Sequence, residues 1–151
     1  TEITASANTG MFVWDLIDHP NYIGGTKVAH IVGTTIKADR VSTNAGSLTG
    51  QTVKFLGVST SYTSPSSVKS ILIGGTFANN TTSRVELTVE VYDNSTSVGV
   101  GLASKIPVPA GSSFVISEAG KTVLEGNDEI RIYCNTANAI DANLSILKGV
   151  A

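Results

Sequence analysis

Cysteine, charge and aromatic residues are all scarce in this sequence, and each shortage excludes a class of protein. The single cysteine, Cys134, cannot form an intrachain disulfide, and no Cys/His cluster offers a zinc site. Charged residues make up only 15% of the 151 residues, with ten Lys and Arg against twelve Asp and Glu. Because a nucleic-acid interface needs a basic stripe, we expect no nucleic-acid partner.

Long apolar runs are missing as well. The sequence contains no stretch of about 18 apolar residues, so we expect no membrane-spanning helix and no membrane partner. It also lacks a positively charged segment followed by an apolar stretch, so we expect no signal peptide.

Catalytic groups are equally rare. There is no Gly-x-Ser-x-Gly motif, and the only histidines are His19 and His30. Nucleophilic hydrolysis needs an activated Ser or Cys beside a base and an orienting group. His19 precedes a proline in an expected turn, and His30 lies in an apolar strand where histidine is usually structural. We therefore predict a protein that is not an enzyme and has no cofactor and no metal.

Two other patterns favour structural interpretations. Gly99 and Gly101 resemble the start of a dinucleotide-binding fingerprint, but the third glycine is missing and a strand follows, so we expect a strand bend or bulge. Several carboxylates crowd one turn and would suit calcium, but their spacing matches no EF-hand loop, and a solvated acidic turn is favoured. The carboxylates in question are Glu118, Glu125, Asp128 and Glu129.

β-Branched and small polar residues are abundant. The sequence has 16 Val and 13 Ile against 9 Leu, and side chains of this shape pack well in sheets. Thr, Ser, Asn and Gly together account for 60 of the 151 residues. Apolar and polar residues alternate over residues 84–92, with Val85, Leu87 and Val89 on one face. This alternation predicts a strand with one buried and one solvent-exposed face.

Turn residues divide the chain into about eight short strands. An Asn-rich turn at residues 79–83 predicts a hairpin between strands 68–78 and 84–92, and residues 93–95 predict the next hairpin. Residues 107–111 predict a rigid bend, and residues 125–128 a tight turn. The remaining expected strands are residues 28–36, 52–62, 98–106, 112–117, 121–124, 129–135 and 142–147. We therefore predict an all-β fold, an antiparallel β-sandwich of jelly-roll or immunoglobulin-like type.

The first fifty residues differ from the rest. We predict one domain overall, in which residues 51–151 form the sandwich and residues 1–50 form an N-terminal segment. This segment either supplies an edge strand that plugs one end of the sandwich or is an arm that docks on a neighbouring subunit. Residues 39–50 are expected to form a polar loop. The candidate residues for contact with a subunit or partner are Met11, Phe12, Val13, Trp14, Leu16 and Ile17.

The order of elements in the second half resembles a known class of viral protein. A strand at residues 68–73, an Asn-rich turn, a strand at 85–91, a Pro-Ala-Gly turn at 109–111 and a Gly-Asn-Asp turn at 126–128 follow one another. Over residues 62–148 this resembles the small β-sandwich structural proteins on the heads and tails of tailed bacteriophages. The resemblance implies a virion location and a capsid decoration (cement) protein that self-associates and stabilises the head. It implies the major capsid protein or tail proteins as partners. The alternative within this class is that the protein is a structural component of the tail, neck or fibre.

A carbohydrate-binding β-sandwich module is the alternative from another class. Such modules present exposed aromatic side chains in one plane, and aromatic residues make up only 6% of this sequence. Tyr92 and Tyr133 are expected on solvent-exposed strand faces, where they would form a small platform. The complete set of candidates is Trp14, Tyr22, Tyr62, Tyr92 and Tyr133.

Overall fold

A computed structural model describes residues 1–7, 9–43, 49–117 and 121–150, and every regular element in them is a β-strand. All strand pairings are antiparallel, which confirms the predicted all-β antiparallel class. None of these residues forms a helix of the length and apolarity needed to cross a bilayer. The chain divides into two compact units, Thr1–Val58 and Ser59–Ala151, here called the N-terminal and C-terminal units.

The N-terminal unit contains five short strands in two small sheets. β1, β4 and β3 form one sheet in that order, and β2 pairs with β5 in the other. A separate hydrophobic core holds the unit together, built on Ile17, Val28 and Ile36, all fully buried. The strands are β1 (Glu2–Thr4), β2 (Leu16–Asp18), β3 (Val28–Val32), β4 (Thr35–Ala38) and β5 (Lys54–Leu56).

Two expected strands are each divided in the structure. The predicted strand at residues 28–36 is the β3–β4 hairpin, because Gly33 adopts φ 57° and reverses the chain. The predicted strand at residues 52–62 is interrupted at residues 57–58. The boundary between the units follows Val58 rather than residue 50, and the segment before it has its own core. Within the predicted polar loop, residues 44–48 lie outside the described residues.

The C-terminal unit contains eight strands in two four-stranded sheets. One sheet has the order β6-β12-β8-β9, and in the other β7 pairs with β10, β11 and β13. Leu72 and Phe77 of β7 and Leu87 and Val89 of β8 belong to one hydrophobic core, so the two sheets form a sandwich. The strands are β6 (Ser59–Thr63), β7 (Lys69–Asn79), β8 (Val85–Asp93), β9 (Val98–Val108), β10 (Ser113–Ile116), β11 (Thr122–Leu124), β12 (Glu129–Cys134) and β13 (Ile140–Val150).

The predicted hairpin between β7 and β8 is wrong. β7 and β8 lie in different sheets, and the Asn-rich turn crosses from one sheet to the other. The reason is the buried side chain of Asn79. Its Nδ2 donates to the carbonyl oxygens of Ser83 (2.8 Å) and Val108 (2.9 Å), and its Oδ1 accepts from the backbone N–H of Thr81 (2.9 Å). These bonds tie the turn to the end of β9 instead of closing a ladder.

The other predicted turns are present. The hairpin at residues 93–95 joins β8 to β9, and the Asp93 carboxylate accepts backbone N–H groups from Ser95 and Thr96. The bend before β10 is closed by the Ser112 N–H on the Pro109 carbonyl, with Gly111 at φ 66°. Gly99 and Gly101 lie inside β9, next to a register shift at Leu102, which confirms the strand-bulge interpretation.

The solvent-exposed face predicted for β8 is also wrong. Val85, Leu87 and Val89 are buried as expected, but Thr88, Glu90 and Tyr92 on the opposite face are buried too. Their polar atoms find partners there: the Thr88 hydroxyl accepts from the Lys105 N–H, and Glu90 accepts from the Tyr133 hydroxyl. Alternation locates a strand reliably, but the burial of its polar face is set by tertiary structure.

Candidate functional site

The structure separates the six predicted contact residues into two groups. Leu16 and Ile17 lie in β2 and are fully buried, and Ile17 belongs to the core of the N-terminal unit. Residues 11–14 form the turn that precedes β2, here called the apolar turn. Met11 packs against the core of the unit, whereas Phe12, Val13 and Trp14 are exposed by 68%, 42% and 38%.

The backbone of the apolar turn has a conformation that its sequence does not favour. The Asp15 N–H donates to the Phe12 carbonyl (3.2 Å), which closes a four-residue turn with Trp14 in the third position. Trp14 has φ 78°, in the left-handed region, where a type II turn normally places glycine. Holding a large aromatic residue there costs about 1–3 kcal/mol, and such strain persists only where the surroundings enforce it.

Three anchors enforce this turn. The buried Asp15 carboxylate accepts the Phe12 N–H through Oδ2 at 2.8 Å. The Trp14 N–H donates to the carbonyl oxygen of Val28 in β3 at 2.8 Å, and the Val28 N–H donates back to Asp15 at 2.9 Å. Because these bonds hold both sides of the turn, the exposed side chains are presented on a fixed backbone.

The apolar turn can therefore bind another surface without first becoming ordered. Phe12, Val13 and Trp14 are contiguous and uncharged, and Asp15 beside them is buried. Aromatic side chains on a preorganised backbone are typical of the few residues that dominate a protein interface, because little entropy is lost when they bind.

The two histidines have different surroundings. His19 is buried, and its Nδ1 accepts the Asn21 N–H at 3.1 Å while its Nε2 lies 2.8 Å from Oε1 of Gln51. An acceptor role at Nδ1 places the proton on Nε2, so both ring nitrogens serve hydrogen bonds within the N-terminal unit. His30 is exposed on β3. Cys134 is partly buried and packs against the core of the C-terminal unit.

The acidic turn is organised around a buried carboxylate. Asp128 accepts the Asn94 N–H through Oδ1 at 3.1 Å and the Glu125 N–H through Oδ2 at 2.8 Å. Through these two bonds, Asp128 ties the turn at Asn94 to the turn at Glu125. The same N–H groups point positive charge at the place where a cation would sit, which disfavours calcium binding by this carboxylate. Glu125 forms an ion pair with Lys69, and Glu118 lies outside the described residues. Among the residues described, no group of three His, Cys, Asp or Glu could hold a metal ion.

The predicted aromatic platform of Tyr92 and Tyr133 is wrong, because both side chains are buried. The Tyr133 hydroxyl donates to Glu90 at 2.9 Å, and the Arg131 guanidinium lies 3.4 Å from the centre of the Tyr92 ring. Burial, and then the neighbouring Glu90 carboxylate, raises the pKa of the Tyr133 hydroxyl above its ordinary value. These side chains form a buried polar cluster within the C-terminal unit, where no sugar could stack on them.

No protein-family model matches the chain, and no curated protein or solved structure is detectably similar to it.

Sequence reasoning identified the apolar residues of the turn but missed what fixes them. Asp15 was not singled out, although its carboxylate caps the turn and its backbone pairs with Val28. No sequence signal marks the left-handed backbone of Trp14, since glycine would be expected there. The network of Glu90, Arg131 and Tyr133 was also missed, because its members alternate along their strands like residues of an exposed face.

Proposed function

We propose that this protein is a non-catalytic structural component of a tailed-phage virion, most simply a decoration protein that binds the head surface and stabilises it. It attaches through the apolar turn, which inserts Phe12 and Trp14 into an apolar recess on a capsid protein.

The exposure of the apolar turn is the observation that carries the proposal. Burying such side chains would release favourable transfer free energy of about 25 cal/mol per Å² of apolar surface. Their exposure on a strained but anchored backbone is therefore difficult to explain by folding alone. Backbone strain that the surroundings enforce is commonly found where a protein binds or acts.

Composition and fold are consistent with this role. Few charges and many hydroxyl and amide groups favour recognition by shape over electrostatic steering. The antiparallel sandwich of the C-terminal unit has the architecture that the resemblance to phage head and tail proteins implies.

The first experiment asks whether the chain is a virion protein. Virions of the phage that encodes it are banded by density and their proteins are quantified by mass spectrometry. We expect the chain in many copies per particle, in constant ratio to the major capsid protein. Its absence from DNA-filled particles would refute the proposal. A fixed, small copy number at one end of the particle would support the tail, neck or fibre assignment instead.

The second experiment asks whether the apolar turn makes the contact. Purified protein is added back to particles that lack it, and bound copies are counted by sedimentation. We expect Phe12→Ser to weaken attachment by about 30-fold, since losing an interface anchor costs about 2 kcal/mol or more. Val32→Ser is the matched control, because Val32 is an exposed aliphatic residue on β3 of the same unit.

The outcome with the control decides between specific and general effects. Attachment of Phe12→Ser equal to that of wild type, or an equal loss in Val32→Ser, would contradict a role for the apolar turn. The carbohydrate-binding alternative is not supported by Tyr92 and Tyr133, since both side chains are buried and inaccessible to a sugar. Clear binding on a glycan array that Trp14→Ala abolishes would restore it.

A further inference from the structure

The outer edge of β9 is an exposed apolar strand edge of the C-terminal unit. β9 is the last strand of its sheet, paired with β8 on one side, and no strand in the described part of the chain pairs with its other side. Its first residues read Val-Gly-Val-Gly-Leu and contain no charge and no proline. Val98 and Val100 are 52% and 61% exposed. An edge of this kind is a template for strand addition.

The β13 edge and the second half of β9 carry features that discourage pairing. β13 is interrupted by two register shifts, and Gly149 near its end has φ 75°. The second half of β9 contains Lys105 in a left-handed conformation and Pro107, which has no N–H to donate. Bulges, lysine and proline are the usual means by which proteins block edge pairing. Residues 98–102, here called the open edge, lack lysine and proline, and residues 98–101 pair with β8 without a register shift.

Val100 of the open edge lies in line with residues of the hydrophobic core. Val100 lies opposite Val91 of β8, and Val91 lies opposite the fully buried Ile130 of β12. These three side chains form one row across the sheet, and exposure rises from Ile130 to Val100 as the row reaches the edge. A strand added beside β9 would extend this row and cover its exposed end.

We infer that the open edge binds the open edge of a second copy of this chain, antiparallel about a two-fold axis, to form one eight-stranded sheet. The pattern of the strand selects this partner. A two-fold axis normal to the sheet keeps each side chain on its own face. Each residue therefore lies opposite a residue of the second copy whose number differs from its own by zero or an even number. Valine therefore meets valine or leucine on one face, and glycine meets glycine on the other, with no charge brought together.

The dimer is independent of attachment to a virion, so purified protein tests it. Sedimentation equilibrium of the full chain is expected to show a monomer–dimer equilibrium. Val100→Lys should weaken dimerisation by about tenfold or more, because it brings like charges close together across the axis. Val115→Lys is the matched control, since Val115 is a 59%-exposed valine on β10, and its dimer should equal that of wild type.

Three results would overturn the inference. They are a wild-type protein that stays monomeric at the highest soluble concentration, a dimer that Val100→Lys leaves unchanged, and a dimer that Val115→Lys weakens as much. Far-UV circular dichroism confirms that each variant is folded. The exposure of both positions makes a lysine there compatible with the folded state.

A cysteine scan reads the register directly. In a Cys134→Ser background, single cysteines are placed at each of residues 98–102 and the protein is oxidised. The residue on the axis faces its own copy with Cα atoms about 4.5–5.5 Å apart, within the range a disulfide spans. Its neighbours face their own copies at about 8 Å or more, beyond that range. We expect one position to cross-link strongly. Cross-linking no greater than that of Val115→Cys at all five positions would contradict the paired edge.

Discussion

The two units of this protein differ in the length of their strands and in the size of their hydrophobic cores. The C-terminal unit has eight strands, three of them 11 residues long, and ten buried residues form its core. The N-terminal unit has five strands of three to five residues around a core of five. Short strands leave a larger share of the chain in turns, and one of these turns carries Phe12, Val13 and Trp14 into solvent. The larger core buries ten residues, whereas the smaller unit leaves an apolar turn exposed.

The units also differ in how they treat buried polar atoms. In the C-terminal unit the Ser64 hydroxyl bonds to Ser70, Ser70 to Tyr62, and Tyr133 to Glu90. In the N-terminal unit the Tyr22 hydroxyl is buried and has no hydrogen-bond partner, the single such case among the described residues. A buried hydroxyl without a partner keeps the full cost of its lost hydration. The N-terminal unit therefore carries a local defect that the C-terminal unit avoids.

The largest expected effect tests the core of the C-terminal unit. Phe77 is fully buried, stacks on Phe114 and packs between the sheets. We expect Phe77→Ala to lower the free energy of unfolding by about 3–5 kcal/mol, measured by urea denaturation with far-UV circular dichroism. The exposed Val123→Ala in the same unit is the control and should change it by less than about 0.5 kcal/mol. Equal effects would show that Phe77 is not at the centre of this core.

The next effect tests the buried polar cluster. Tyr133→Phe removes a hydrogen bond to the buried Glu90 carboxylate and should cost about 1.5–3 kcal/mol. The folded-state pKa of Tyr133 is raised, so its contribution is fully present below the unfolded pKa of about 10 and is lost as pH rises above it. Wild type should lose stability in this alkaline range more steeply than Tyr133→Phe. Parallel pH profiles would contradict the assignment.

A smaller effect of opposite sign is expected in the N-terminal unit. Tyr22→Phe removes the buried hydroxyl that has no partner and should stabilise the protein by about 1 kcal/mol. The fluorescence of Trp14, the only tryptophan, follows unfolding of this unit. Destabilisation by Tyr22→Phe would show that the hydroxyl makes a favourable interaction after all.

The smallest effect separates strain from binding. Trp14→Gly relieves the left-handed backbone, but it adds the entropy of glycine to the unfolded chain and removes the contacts of the partly buried Trp14 side chain, so the terms nearly offset. We expect stability to change by less than about 1 kcal/mol, measured by circular dichroism, while attachment to particles is lost. A large loss of stability would mean that the Trp14 side chain serves folding, and the apolar turn would then need no partner.

Strand positions were largely predictable from the sequence, whereas strand partners were not. Val85, Leu87 and Val89 located β8, because side chains on a strand alternate between faces whatever the strand pairs with. The partners of β7 and β8 depend on Asn79, whose hydrogen bonds reach Val108, 29 residues away. No local sequence pattern indicates a hydrogen bond between residues so far apart in the chain.

The amino-acid sequence alone determined the all-β class, the positions of most turns in the C-terminal unit and the apolar character of residues 11–14, since these follow from side-chain shape and local backbone preference. Tertiary structure decided which side chains are exposed. Leu16 and Ile17 are buried while Phe12 and Trp14 are presented to solvent, although all four are equally apolar in the sequence. The difference comes from the anchored backbone around Asp15 and Val28, because burial depends on what packs over a side chain rather than on the side chain itself.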